Sequence, residues 1–534
     1  MTTIELPLDN TLEVDAEMPV LSEALPFPRP RHQVLWFLPT MLIGGVSWMG
    51  GGAKGLNDVA MVLFTIACLV GTLWELRHFR RNIGTGGLVI FLGAAVWFSH
   101  DYLTHWFGGN YGHSDDVAKY IVSHEIIGKG VFLVGLFMEC AVIGLQFSWG
   151  KKLSRAIASV PEPADRGFFI LVLVVFAVGL IPYMFFVEDS FLTAIYRDMV
   201  AMRSGHIANW TVARTGNLNY SWGAYVLRLN DVGTVGGVLA ACYAAIVAQN
   251  RVVKIICWGI WFFWTALAFG GGSRGPLVAM VMPVIGIIVL KNWIFRNKVA
   301  ARPLIQAAVL GFILLFCVQF QGTYRNTEVD ERRFNGVDIT QSQGNMMFTE
   351  PLLAYDLVPS AIPHSGDVFV GAQFVRPMPE IVFRFAVGWI PRALWRTKPN
   401  SLGDWLGLHD FAFSAFYNQL VTGGSASNDE FGEGTGSGGT VTTSIVGMGY
   451  VPYGIPGVIQ YGLLFGWLNI VAERALRYSN GRIMALLFGL GLTTYMFRSY
   501  RDLTPHNVYP LLIGMLVISI FTKFLASGST NQSS

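Results

Sequence analysis

Four stretches of this chain, 34–50, 168–187, 252–270 and 277–290, are almost free of charge and long enough to be helices buried in hydrocarbon. A bilayer core needs about twenty predominantly apolar residues per helical crossing, and few soluble folds tolerate several such runs. Hydrophobic residues make up 53% of the 534 residues and charged ones 13%. The charged share is about half that of an average soluble domain, too little to clothe a water-facing surface. The expected fold class is an all-α polytopic integral membrane protein with about 12 transmembrane helices and a large extracytoplasmic loop containing short helices. Fibrous, disordered and nucleic-acid-binding classes are excluded as first readings.

The spans are expected at about 34–52, 56–76, 84–106, 126–149, 167–187, 230–249, 253–270, 276–291, 303–320, 441–472, 482–498 and 508–525. Basic residues recur in alternate connections, at Arg77, Arg80 and Arg81, at Lys151, Lys152 and Arg155, at Arg251 and Lys254, and at Arg474, Arg477 and Arg482. The positive-inside rule then puts both termini in the cytoplasm. The division follows: an acidic cytoplasmic tail over 1–33; helices one to nine over 34–320, with outside loops at 107–125 and 188–229; a periplasmic loop over 321–440; three more helices over 441–525; and a tail over 526–534. Residues 1–28 hold six acids and no basic residue, so a cleavable leader is not expected there. The five cysteines, Cys68, Cys140, Cys242, Cys257 and Cys317, stand far apart in apolar runs and read as small buried hydrophobes.

The outside face breaks a rule. Basic residues should be sparse there, yet Arg214, Arg228, Arg274, Arg392, Arg396, Arg498 and Arg501 all map to it or to its membrane boundary, while lysine is scarce. Arginine keeps its charge when partly buried and presents a planar fork of donors suited to phosphate. Within 321–440, thirteen acids accompany eight basic residues, so many loop arginines read as surface pairs. Arg274 is different. It stands in Gly272-Ser273-Arg274-Gly275-Pro276 between two apolar runs, with no acid nearby in sequence. A charge at membrane depth is costly and usually functional. Pro276 suits the first turn of a helix, whose free N–H groups would point the same way as the arginine. Asp502 could neutralise Arg498 or Arg501, and Asp231 could pair with Arg228.

Three patches carry a family resemblance: Gly272-Ser273-Arg274-Gly275 opening a helix; Ile390-Pro391-Arg392-Ala393-Leu394-Trp395-Arg396-Thr397-Lys398-Pro399 in the large loop; and Tyr450-Val451-Pro452-Tyr453-Gly454-Ile455-Pro456-Gly457 entering a helix. With them the chain resembles the Wzy-type O-antigen or exopolysaccharide polymerases, bacterial inner-membrane glycosyltransferases. The resemblance implies periplasmic polymerisation of undecaprenyl-diphosphate-linked oligosaccharide repeat units; arginine clamps would stabilise a departing diphosphate without a metal, and no cofactor is expected. The growing glycan would move from its lipid diphosphate to the sugar hydroxyl of an incoming unit, and the arginines would hold the diphosphate. Partners would be the lipid-linked substrate, a chain-length regulator and the flippase of the same pathway.

On this reading Arg274, Arg392 and His409 are the expected catalytic residues; Arg214, Arg228, Arg396, Arg498 and Arg501 are expected to bind diphosphate or glycan. His364, Asp404 and Asp410 are further candidates for the base, and His113 with Asp115 and Asp116 could at most suggest a metal. Two rivals stay open. An O-antigen ligase of the related type would carry a histidine shortly before the tenth span, and 418–456 has none. A flippase or transporter would use charges within the membrane, for which Glu125, Lys129 and Glu139 are available.

Overall fold

The computed structural model describes residues 31–82, 84–99, 124–160, 162, 165–185, 191–200, 223–270, 274–290, 301–324, 382–383, 386–387, 390, 395, 445–479, 482–500, 511–512 and 514–522. Among them the regular structure is helical throughout, with no strand. A short 3-10 turn, Arg31–Leu35, precedes α1 (Leu38–Met49). Then come α2 (Lys54–Asn82), α3 (Thr85–Ala94), α4 (His124–Leu145), α5 (Lys151–Ala158), α6 (Asp165–Phe185) and α7 (Phe191–Val200). The rest are α8 (Gly223–Ile246), α9 (Arg251–Gly270), α10 (Arg274–Leu290), α11 (Ala301–Tyr324), α12 (Ile445–Tyr478) and α13 (Ile483–Arg498). Residues 511–512 and 514–522 are helical as well.

Among the described residues, six helices are long and apolar enough to cross a membrane: α2, α4, α6, α8, α9 and α12. Apolar stretches in α1, α3, α10, α11 and α13 are shorter. Two helices stand where no span is expected. One is α5, with Lys151, Lys152 and Arg155 exposed and Ser154 buried, its hydroxyl donating to Val471 O at 3.1 Å. The other is α7. At the end of α3 the helix loosens into a π-helical turn, Ala95–Ser99, rather than running on as a plain α-helix.

The helices pack as two apolar clusters. One joins α1–α4 with α12 around Phe64, Phe91, Phe137 and Phe465. The other joins α6, α8, α9, α10 and α13 around Trp264, Met280 and Leu487. In hydrocarbon, helices associate through close packing rather than a hydrophobic drive, so small residues mark the seams. Gly462 and Gly466 of α12 lie against the main chain of Phe137 and Ala141 in α4, and a Cβ at either would clash with it. Overpacking that seam would cost about 1–3 kcal/mol. At Gly454, α12 breaks, with φ 62° and ψ −153°, a conformation essentially reserved for glycine. Pro452 and Pro456 flank the break and leave no N–H for helix bonds there.

Candidate functional site

The bundle has two chemically distinct ends. At one, helix N-termini meet carboxylates. Glu139 Oε2 accepts the Phe37 N–H at 3.2 Å, where α1 starts. Glu473 Oε2 accepts the Gly86 N–H at 3.1 Å in the first turn of α3, and its other oxygen accepts Arg477 Nη2 at 2.7 Å. Glu162 Oε1 accepts the Met484 N–H at 3.0 Å in the first turn of α13. Burial pushes the Glu162 carboxyl above its ordinary range, against the opposing pull of the Met484 N–H and of Arg482. Arg474 here meets a helix C-terminus, whereas Arg251 opens α9 and Lys151 opens α5. Arg474 donates to Trp149 O at 2.9 Å and to Phe147 O at 2.6 Å, just past the end of α4. The three carboxylates and Arg474 neutralise helix dipoles.

The opposite end gathers the ends of α6, α9 and α13, the starts of α8, α10 and α12, and helix α7. Here α10 begins at Arg274. A guanidinium reaches its first turn: Arg498, from the last turn of α13, lies so close over Gly275 that a Cβ there would strike it. Arg498 sits well at the negative end of its own helix. At α10 it adds a full positive charge to the partial positive charge of a helix N-terminus, an arrangement that favours an anion.

Behind this junction lies a polar layer. The Tyr183 hydroxyl of α6 donates to Asp198 Oδ2 of α7, and Asn230 Nδ2 of α8 donates to the same hydroxyl at 3.3 Å. Tyr183 is 0% and Asp198 2% exposed. In the other cluster, Lys129 of α4 is 6% exposed, with Nζ 5.5 Å from the Trp48 ring and 5.2 Å from the Tyr450 ring. That contact brings a charge considered for a transporter against the tyrosine of the Tyr450–Gly457 patch, while Glu125 is exposed.

Of the residues expected from sequence, Arg274 and Arg498 come together as the backbone start of α10 and the side chain above it. Arg228 is in α8, and the side chains of Arg274 and Arg228 lie outside the described atoms. Arg214, Arg392, Arg396, Arg501 and His409 lie outside the described residues, as do His113, His364, Asp404, Asp410 and Asp502. Sequence reasoning missed Tyr183, Asp198 and Asn230. The available signal was Asn230-Asp231 near the start of an apolar helix and Asp198 in the short amphipathic run 191–200. The chain matches no family model, no curated protein and no solved structure.

Proposed function

We propose that this chain is a membrane glycosyltransferase that polymerises undecaprenyl-diphosphate-linked repeat units on the periplasmic face of the bacterial inner membrane. The observation that carries the reading is Arg498 over Gly275, in the first turn of the helix that Arg274 opens. Two arginines selected as diphosphate ligands from distant parts of the sequence thereby share a helix N-terminus. In the reaction, the acceptor hydroxyl oxygen attacks the anomeric carbon of the growing glycan and the bond to the lipid diphosphate breaks. The hydroxyl proton passes to a base, for which His409 is the candidate, and the diphosphate departs with its charge held by the arginines. Stabilising charge as it develops on a leaving group is where an enzyme gains most.

The topology belongs to the same proposal: twelve crossings, both termini in the cytoplasm and the 321–440 segment in the periplasm. A cysteine at Ser427 should then react with an impermeant maleimide in intact spheroplasts; labelling only after lysis would overturn it. The ligase remains the second reading. The transporter reading loses one of its supports, because Glu139 is engaged as the cap of α1. Purified protein given lipid-linked repeat units separates all three. A polymerase lengthens the lipid-linked glycan, a ligase consumes it when given its acceptor, and a transporter leaves its length unchanged.

A further inference from the structure

Helix α7 is tied on two sides through one residue. Its Asp198 carboxylate accepts the Tyr183 hydroxyl, which Asn230 also contacts at 3.3 Å. The Asp198 and Met199 main-chain carbonyls press on Gly270, the last residue of α9, where a Cβ would have no room. The layer beneath is rigid. One turn along from Tyr183 and Asn230, Gly179 and Gly233 touch through their main chains, and the Trp264 ring of α9 fills the angle between them. Interiors packed this closely transmit displacement instead of absorbing it.

Gly270 lies four residues before Arg274, so the two α-carbons are at most about 14 Å apart. Whatever holds Gly270 limits where α10 starts, and α10 must start where Arg498 can reach Gly275. The burial of Asp198 and Tyr183 keeps both from serving as the base for a sugar hydroxyl, which has to come within hydrogen-bond reach. It suits them to holding geometry. We infer that Asp198, held by the Tyr183 hydroxyl that Asn230 also contacts, is a positioning residue for the anion site at Arg274 and Arg498. It acts by pinning the end of α9. The inference rests on the diphosphate reading of that site.

The test uses inorganic pyrophosphate as the probe and the full chain in lipid nanodiscs, with affinity and melting temperature measured side by side. Wild type binds pyrophosphate and Arg498→Ala loses that binding. Asp198→Ala weakens it about tenfold, the scale on which groups supporting a ligand shell act. Asp198→Asn still accepts the Tyr183 hydroxyl and binds within about threefold of wild type, since the hydrogen bond outlives the charge. Tyr183→Phe keeps the ring buried, loses only the hydroxyl and weakens binding as well; it carries the test if Asp198→Ala does not fold. With pure polymer-synthesis kinetics, Asp198→Ala lowers kcat more than it raises KM. A role confined to holding the helices together would lower the melting temperature and leave the affinity of the folded protein unchanged, and that result overturns the inference. The two failures differ: if wild type binds no pyrophosphate, the diphosphate reading falls and takes the inference with it. If wild type binds, Arg498→Ala does not, and Asp198→Ala and Tyr183→Phe bind as wild type does, the inference alone falls.

Discussion

At the lysine-bearing end of the bundle, the first turns of α1, α3 and α13 each receive a glutamate from another part of the chain: Glu139, Glu473 and Glu162. At the other end, the first turn of α10 receives Arg498. The same structural element, a helix start, is thus handled in opposite ways. A carboxylate there completes the helix: it accepts orphan N–H groups and opposes the dipole, so nothing further is needed. A guanidinium there accepts nothing and adds like charge. Stability explains the first arrangement; Arg498 suits the C-terminus of its own helix α13 and adds like charge at the start of α10. On the proposed function, the first arrangement serves the fold and the second serves the diphosphate.

If that contrast holds, the largest effect on activity comes from the arginines. Arg498→Ala should cut the rate of polymer synthesis by about 10²–10³, or about 3–4 kcal/mol, the scale for losing one donor to a developing anion. Arg274→Ala should do the same, and Arg274→Lys should lose most of the activity because an ammonium lacks the fork. Protein abundance in the membrane should stay near wild type. A wild-type rate in Arg498→Ala would show that the diphosphate sits elsewhere.

The mirror experiment removes a carboxylate. Glu473 is 0% exposed and serves both Gly86 and the partly exposed Arg477, so Glu473→Ala leaves a buried N–H unmet and a cation without this partner. The melting temperature should fall by the equivalent of about 2–3 kcal/mol. The polymerisation rate per folded molecule should not move. A large rate loss with unchanged melting would erase the distinction between the ends.

How much of this was legible in the sequence follows from what sets each feature. Helix locations follow from apolar runs, and the described helices other than α5 and α7 stand where those runs are. Arg274 stood out because a charge between two such runs is costly wherever the rest of the chain lies. Its company did not. Nothing in the run Tyr495–Tyr500 says that Arg498 will meet Gly275, since that contact is made by the packing of α13 on α10. Glu139 shows the converse. In sequence it is a charge within an apolar span and argues for transport; in three dimensions it caps α1, a partner 102 positions away. The buried Tyr183, Asp198 and Asn230 layer was hard to see for the same reason: the sequence shows each polar residue but not that the three meet.

A smaller and more local change sharpens the contrast at α10 itself. A Cβ at Gly275 would strike the Arg498 guanidinium, while the backbone there is helical and tolerates alanine. Gly275→Ala should therefore leave the melting temperature unchanged or slightly higher, by the usual helix preference of alanine over glycine. The rate should fall about tenfold, because a misplaced charge-stabilising group costs rate steeply even at fractions of an ångström. Equal rates for the two proteins would mean that Arg498 acts from another rotamer.

The smallest effect tests whether the carboxylate caps are all alike. Glu162 lies outside the membrane spans, and burial raises its carboxyl above the ordinary value of 4.5 although Arg482 and the Met484 and Ile483 N–H groups pull it down. An acid raised in this way binds its proton more readily in the folded protein than in the unfolded chain. Stability contributed at this position is therefore greatest at low pH and is lost as pH rises from 4.5 through the raised value, after which the ionised group carries a constant cost. Glutamine keeps an oxygen for the Met484 N–H and has no charge to desolvate. Glu162→Gln should then match or slightly exceed wild type in melting temperature at neutral pH, and should lose the small stabilisation that wild type shows on mild acidification. A glutamine variant clearly less stable than wild type at neutral pH would mean that the charge itself, set against Arg482 and the start of α13, outweighs its burial. In that case all three capped helix starts would depend on charge, and the difference between the two ends would be one of sign throughout.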